Sequence, residues 1–172
     1  MAHFSFVAEM LALYSSETDL YFLARDSEFL YDVAKLVTEG TNDAKRIHLI
    51  NVSHANMSDE NLRNYLQENG ITEEKIRTGK KIILIDTGFA GTIPKKIGDV
   101  FPNVRSKIKT HLIVSANTEH PSSRAFLIHL NPSANRLKTS EMHGSIVNYE
   151  HLARFSDRSS RFFLLDGKYH PI

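Results

Sequence analysis

The chain contains no cysteine. Disulfides, thiolate zinc ligands and cysteine nucleophiles are therefore excluded. No apolar run approaches the roughly 20 residues of a membrane-spanning helix. The first ten residues have no basic stretch ahead of an apolar one, so a secretory leader is not expected; a soluble protein is, with the cytoplasm favoured but the compartment not fixed by composition. An excess of one charge is missing too. Lys and Arg number 21 against 20 Asp and Glu, for a formal net charge of +1. Bulk electrostatics thus single out neither nucleic acid nor a membrane as a partner. The nine histidines include no pair at helical metal-ligand spacing, so a zinc site is not expected.

What is present is an ordinary globular composition. Of the 172 residues, 41% are hydrophobic and 24% charged, enough for one domain with a real core. Apolar residues at helical spacing (Phe6, Val7, Met10, Leu11, Tyr14) predict a first helix over 4–14. The run 20–24 reads as a strand buried on both faces. Asp26 or Ser27 then caps a helix through Phe29, Leu30, Val33, Ala34 and Val37, which Gly40 ends. A second strand is expected over 46–52. Ser58 caps a helix through Leu62, Tyr65 and Leu66, with Gly70 as its stop, and a short helical turn follows Thr72. Residues 81–85 form the clearest strand, followed by a glycine-containing loop and a helix over 93–100 with Pro94 near its start. Further strands are expected over 108–114 and 125–130, a polar irregular stretch over 131–143, and a helix over 145–155. Residues 162–170 read as a hairpin around Asp166-Gly167.

Strands alternating with helices predict an α/β fold, a three-layer sandwich with a mostly parallel sheet and a C-terminal β-hairpin. One domain over 1–172 is expected, with its core at about 18–130 and a helix–hairpin extension at about 144–172. Ligands of such sheets bind outside the carboxyl ends of the strands. Three polar segments follow three strands there: Arg25-Asp26-Ser27-Glu28, Ser53-His54-Ala55-Asn56, and Asp86-Thr87-Gly88-Phe89-Ala90-Gly91-Thr92.

The third segment carries the most chemistry. Asp86 closes a buried strand, where a carboxylate is costly without partners or a ligand. Gly88 and Gly91 allow positive φ or close backbone approach. Thr92 opens a helix, whose amides and dipole suit an anion. A phosphate cradle is one reading, with Asp86 holding a hydroxyl or a metal-bound water. A tight strand-to-helix turn is the other. The segment matches neither the Walker loop nor the dinucleotide fingerprint.

With Ile82-Ile83-Leu84-Ile85-Asp86 followed by Gly91-Thr92, the chain resembles the type I phosphoribosyltransferases. In that family a hydrophobic strand ends in acids, and a Thr-Gly-x-Thr loop holds the 5-phosphate of phosphoribosyl pyrophosphate. The resemblance covers roughly residues 18–116 and implies a Rossmann-like, phosphoribosyltransferase-like sheet. It implies a ligand set of Arg25, Ser27, Gly88, Phe89, Ala90, Gly91, Thr92 and His54, catalytic roles for Asp86 and Asp26, and magnesium arriving with the substrate. The family usually has two adjacent acids, whereas Thr87 follows Asp86 here.

Other residues have readings of their own. Arg25 can fork onto phosphate oxygens or pair with Asp26. His54 and Asn56 contact a base or simply face solvent. Glu150, Arg154 and Arg158 are spaced for a solvated salt-bridge face or for an element, with Tyr149, His151 and Arg161, that folds over the site. Lys80, Lys81, Lys95 and Lys96 read as surface charges, although Lys95 and Lys96 also suit phosphate. The function expected is a phosphoribosyltransferase-like enzyme acting on a small phosphorylated ribose compound or nucleotide. A non-catalytic nucleotide- or phosphate-binding domain is the first alternative. A phosphatase-type hydrolase with Asp86 as nucleophile is the second, weakened by Gly88 at the place of a second acid.

Overall fold

A computed structural model describes residues 2–24, 27–52, 58–89, 91–115, 123–129, 162–165 and 168–171. Helix α1 (Ala2–Leu13) leads into β1 (Thr18–Leu23), α2 (Glu28–Thr38), a 3₁₀ turn (Asn42–Arg46) and β2 (Ile47–Ile50). Then come α3 (Asp59–Glu68), α4 (Glu73–Arg77), β3 (Lys81–Phe89), α5 (Thr92–Asp99), a second 3₁₀ turn (Pro102–Lys107), β4 (Ile108–Ser115) and β5 (Ser123–His129). Strands β6 (Phe162–Leu165) and β7 (Lys168–Pro171) pair antiparallel, with Leu165 opposite Lys168. Asp166 and Gly167, where the turn is expected, lie outside the described residues.

The main sheet has the order β2-β1-β3-β4-β5, and every neighbouring pair is parallel. Side chains alternate between its faces. On β1 and β3, Leu20, Phe22, Ile83 and Ile85 pack with Phe6, Val7 and Met10 of α1 and Leu30 and Ala34 of α2. Tyr21, Leu23, Ile82 and Leu84 pack with Leu62, Tyr65 and Leu66 of α3, Ile76 of α4 and Ile97 of α5. Each fully buried side chain of this size contributes about 1.5–3 kcal/mol. The result is the three-layer sandwich. Its layering follows from chain direction: a right-handed crossover from β1 outward to β2 puts α2 on one face, and crossovers running the other way put α3, α4 and α5 on the opposite face.

The helix boundaries have local causes. The Ser58 hydroxyl accepts the Asn61 amide at 3.2 Å, and Thr72 accepts that of Lys75 at 3.1 Å. Pro94 sits in the first turn of α5, where its missing N–H breaks no intrahelical bond.

Several elements differ from the sequence reading. Strand β2 is only four residues long, and Arg46 belongs to the turn before it, where it is buried and bonds Asp43 at 2.8 Å. In α2 the buried row is Leu30, Ala34 and Thr38, while Phe29 and Val37 are exposed. The helix is turned so that small Ala34 lies against the sheet, with Val33 packed at the edge of the core and Phe29 and Val37 outward. Strand β3 does not end at Ile85. It continues to Phe89 because β4 supplies a ladder for Asp86, Gly88 and Phe89 after β1 has ended. The helix expected over 145–155 and the residues around Glu150, Arg154 and Arg158 lie outside the described residues.

Candidate functional site

The strand order decides where a site can form. From β1 the chain crosses outward to β2, and from β3 it crosses the other way to β4. The two crossovers leave the carboxyl edge on opposite faces, so the ends of β1 and β3 mark the switch point where sheets of this kind form a ligand crevice. Leu23 pairs with Ile50 and Phe22 with Ile85, so β1, β2 and β3 reach this edge together. The segments expected to carry ligand contacts therefore all leave from one side of the sheet. Arg25, Asp26, His54, Asn56 and Ala90 lie outside the described residues.

The crevice is built from both strands. Ser27, fully buried, turns its hydroxyl back onto the carbonyl oxygens of Leu23 and Ile85, the latter at 3.2 Å. Its amide also donates to Leu23 at 3.2 Å. Although Ser27 stands at the cap position of α2, it makes no side-chain cap bond, because these two strand carbonyls hold its hydroxyl. Across the edge, the Tyr65 hydroxyl accepts the Asn51 amide at 2.8 Å just past β2. Burial raises the Tyr65 pKa, and this hydrogen bond partly opposes the rise. The first contact fixes the ends of β1 and β3, and the second fixes the end of β2 beside them.

Asp86 and Thr87 are neighbours on β3 and so point to opposite faces. Asp86, 8% exposed, is on the face of Ile82 and Leu84, toward α5. Thr87, 3% exposed, is on the face of Ile83 and Ile85, toward α2. The Thr87 hydroxyl has no hydrogen-bond partner among the described residues. A buried hydroxyl without a partner costs about 1–3 kcal/mol, so a polar group at this point would be stabilised.

Gly91 makes the turn from β3 into α5. It is buried, with φ 62° and ψ 28°, a left-handed conformation that favours glycine. Gly88 instead lies within the β3 ladder opposite Val114, and Phe89 lies opposite Ser115. Thr92 is exposed at the start of α5, whose first turn holds no acidic residue. Helix geometry directs the first-turn amides toward the carboxyl edge, and Pro94 removes one donor from that turn. Lys95 does not reach back to this turn. It pairs with Asp99 at 2.7 Å, and Asp99 also holds Arg105 at 2.9 Å.

Among the described residues, no three His, Asp or Glu side chains are grouped to hold a metal ion. No described helix is long and apolar enough to cross a membrane. Comparison with protein families and with curated proteins returns no match. Sequence reasoning passed over a second group of residues, Lys107, Lys109 and His111. Their alternation into β4 places basic groups on one face, a period-two signal that is legible in the residues 107–111 themselves.

Proposed function

We propose that this chain is a phosphoribosyltransferase-like protein that binds a phosphorylated ribose compound or nucleotide in the crevice between β1 and β3. The observation that carries the reading is the left-handed turn at Gly91, which joins a buried strand to a helix start at the switch point of the sheet. Phosphate is suited to the amides around Gly91 and Thr92. Asp86, on the α5 side of β3, would accept a hydrogen bond from a ribose hydroxyl. Magnesium would enter on the substrate's phosphates and meet Asp86 through water. Arg25 and Asp26 would complete the rim, with Arg25 forking onto phosphate oxygens.

Thr87 favours the non-catalytic form of this reading. It stands where the family has a second acid, and its buried hydroxyl offers hydrogen bonding without charge. The test has two parts. Titration with ribose 5-phosphate, followed by amide NMR, is expected to give saturable shifts in residues 86–93, and their absence would remove the binding reading. Incubation with phosphoribosyl pyrophosphate and a panel of bases then separates an enzyme, which releases pyrophosphate, from a binding domain, which does not. Asp86→Asn is expected to weaken ribose 5-phosphate more than inorganic phosphate.

A further inference from the structure

The opposite edge of the sheet carries a feature that the proposed function does not use. A cavity of about 520 Å³ lies at the amino ends of β3 and β4. Ile83 pairs with Lys109 and Ile85 with His111, so Lys81, Ile83, Lys109 and His111 share the face covered by α1. The end of α1 forms one wall. There the Tyr14 hydroxyl hydrogen-bonds His111 Nε2, and the two rings meet edge-on with centroids 5.3 Å apart. Leu13, which is exposed, supplies apolar surface to the same cavity, and the buried Ile76 and Ile83 back its floor.

Four lysines line it, Lys80, Lys81, Lys107 and Lys109, and no Asp or Glu does among the described residues. Lys80 is paired with the buried Asp19 at 3.0 Å, but Asp19 also holds Lys75 at 2.9 Å. One carboxylate therefore balances two ammonium groups. Lys81, Lys107 and Lys109 have no ion pair among the described residues. Like charges gathered around a concavity repel one another, and its low-dielectric walls focus their field outward. An anion would relieve that repulsion, and lysine is a compact donor for phosphate oxygens.

We propose that this cavity is a second anion site, which takes a soluble phosphate ester carrying an apolar or aromatic group, such as a mononucleotide. The lysines hold the phosphate and the apolar wall holds the rest. The volume is within the usual range for a small-molecule site. The site is independent of the crevice: Lys81 and Phe89 stand at opposite ends of β3, roughly 26 Å apart at the rise of a strand. A single mononucleotide does not bridge that distance.

Titration of the folded protein with adenosine 5′-monophosphate and, separately, with inorganic phosphate tests the proposal by amide NMR. The expected result is saturable shifts at Lys81, Lys107, Lys109 and His111, weakened by salt, with the nucleotide tighter than phosphate. Lys107→Glu with Lys109→Glu is expected to lower affinity about tenfold or more. Lys107→Arg with Lys109→Arg is expected to retain binding. Shifts absent at these amides or confined to residues 86–93 would overturn the proposal. So would unchanged affinity in a folded double-Glu variant. Equal affinity for nucleotide and phosphate would overturn the apolar subsite.

Discussion

The Ser27 hydroxyl lies 3.2 Å from the Ile85 carbonyl oxygen, tying the start of α2 to the last β3 residue that pairs with β1. The same hydroxyl bonds Leu23 at the end of β1. One buried side chain thus joins the two strands that frame the crevice. Ser27→Ala removes the donor and is expected to destabilise the protein by about 1–3 kcal/mol. Urea denaturation measures this. Because the hydroxyl is already engaged, affinity of the folded variant for ribose 5-phosphate is expected to change little. Lost affinity with unchanged stability would make Ser27 a ligand contact instead of a strut.

His48 gives the fold a pH dependence. It is partly buried on β2, with its ring stacked on Tyr21 at 4.6 Å between centroids. Burial is the main cause holding its pKa below the usual imidazole value; Lys75 and Lys80 act in the same direction, and Asp19 opposes them. The unfolded chain therefore takes up this proton more readily than the folded one. Stability from neutral His48 is fully present above the unfolded value, about 6.5, and is lost as pH falls through the lower folded value. His48→Phe keeps a ring against Tyr21 and removes the titration. Urea unfolding at about pH 7.5 and about pH 5 is expected to show a smaller acid loss in the variant. Equal losses in the two proteins would assign the acid sensitivity to other groups. At the alkaline end, burial and then Asp19 push the Tyr21 pKa up. Stability is expected to fall as pH rises past the ordinary tyrosine value, about 10.

The parallel core was legible because both-face burial writes continuous apolar runs, as in Leu20 to Leu23 and Ile82 to Ile85. The Ser58 cap and the helical turn after Thr72 were legible because capping chemistry is local. The extent of β3 was not. Whether Asp86 to Phe89 is loop or strand depends on β4, a partner distant in sequence, and polar and glycine residues there mimic a turn. The role of Ser27 was hidden for the same reason, since Ile85 is 58 residues away. Strand order was also beyond a single sequence, because nothing local says that β1 and β3 become neighbours. Yet that order creates the crevice. The basic cavity combines α1, β3 and β4, so Lys80 and Lys81 read as surface charges and Lys107 and Lys109 were passed over.

Gly91 offers the sharpest test of the turn into α5. A Cβ added there meets Leu112 Cδ1 at 3.7 Å, an ordinary contact. Space is therefore available, and the cost of substitution arises from φ 62°. Alanine in that conformation costs about 1–2 kcal/mol. Asparagine tolerates it better, and a β-branched side chain tolerates it worst. The expected order of stability is Gly, Asn, Ala, then Val, and urea midpoints of the four proteins check it. Ligand affinity separates strain from function. A cradle made by the amides around Gly91 needs the left-handed turn to aim them, so ribose 5-phosphate affinity is expected to fall in the same order, measured where each variant is folded. Valine as stable as glycine would contradict the left-handed turn. A folded Gly91→Val protein that binds ribose 5-phosphate as tightly as the wild type would leave the turn intact as structure and remove it as a phosphate site.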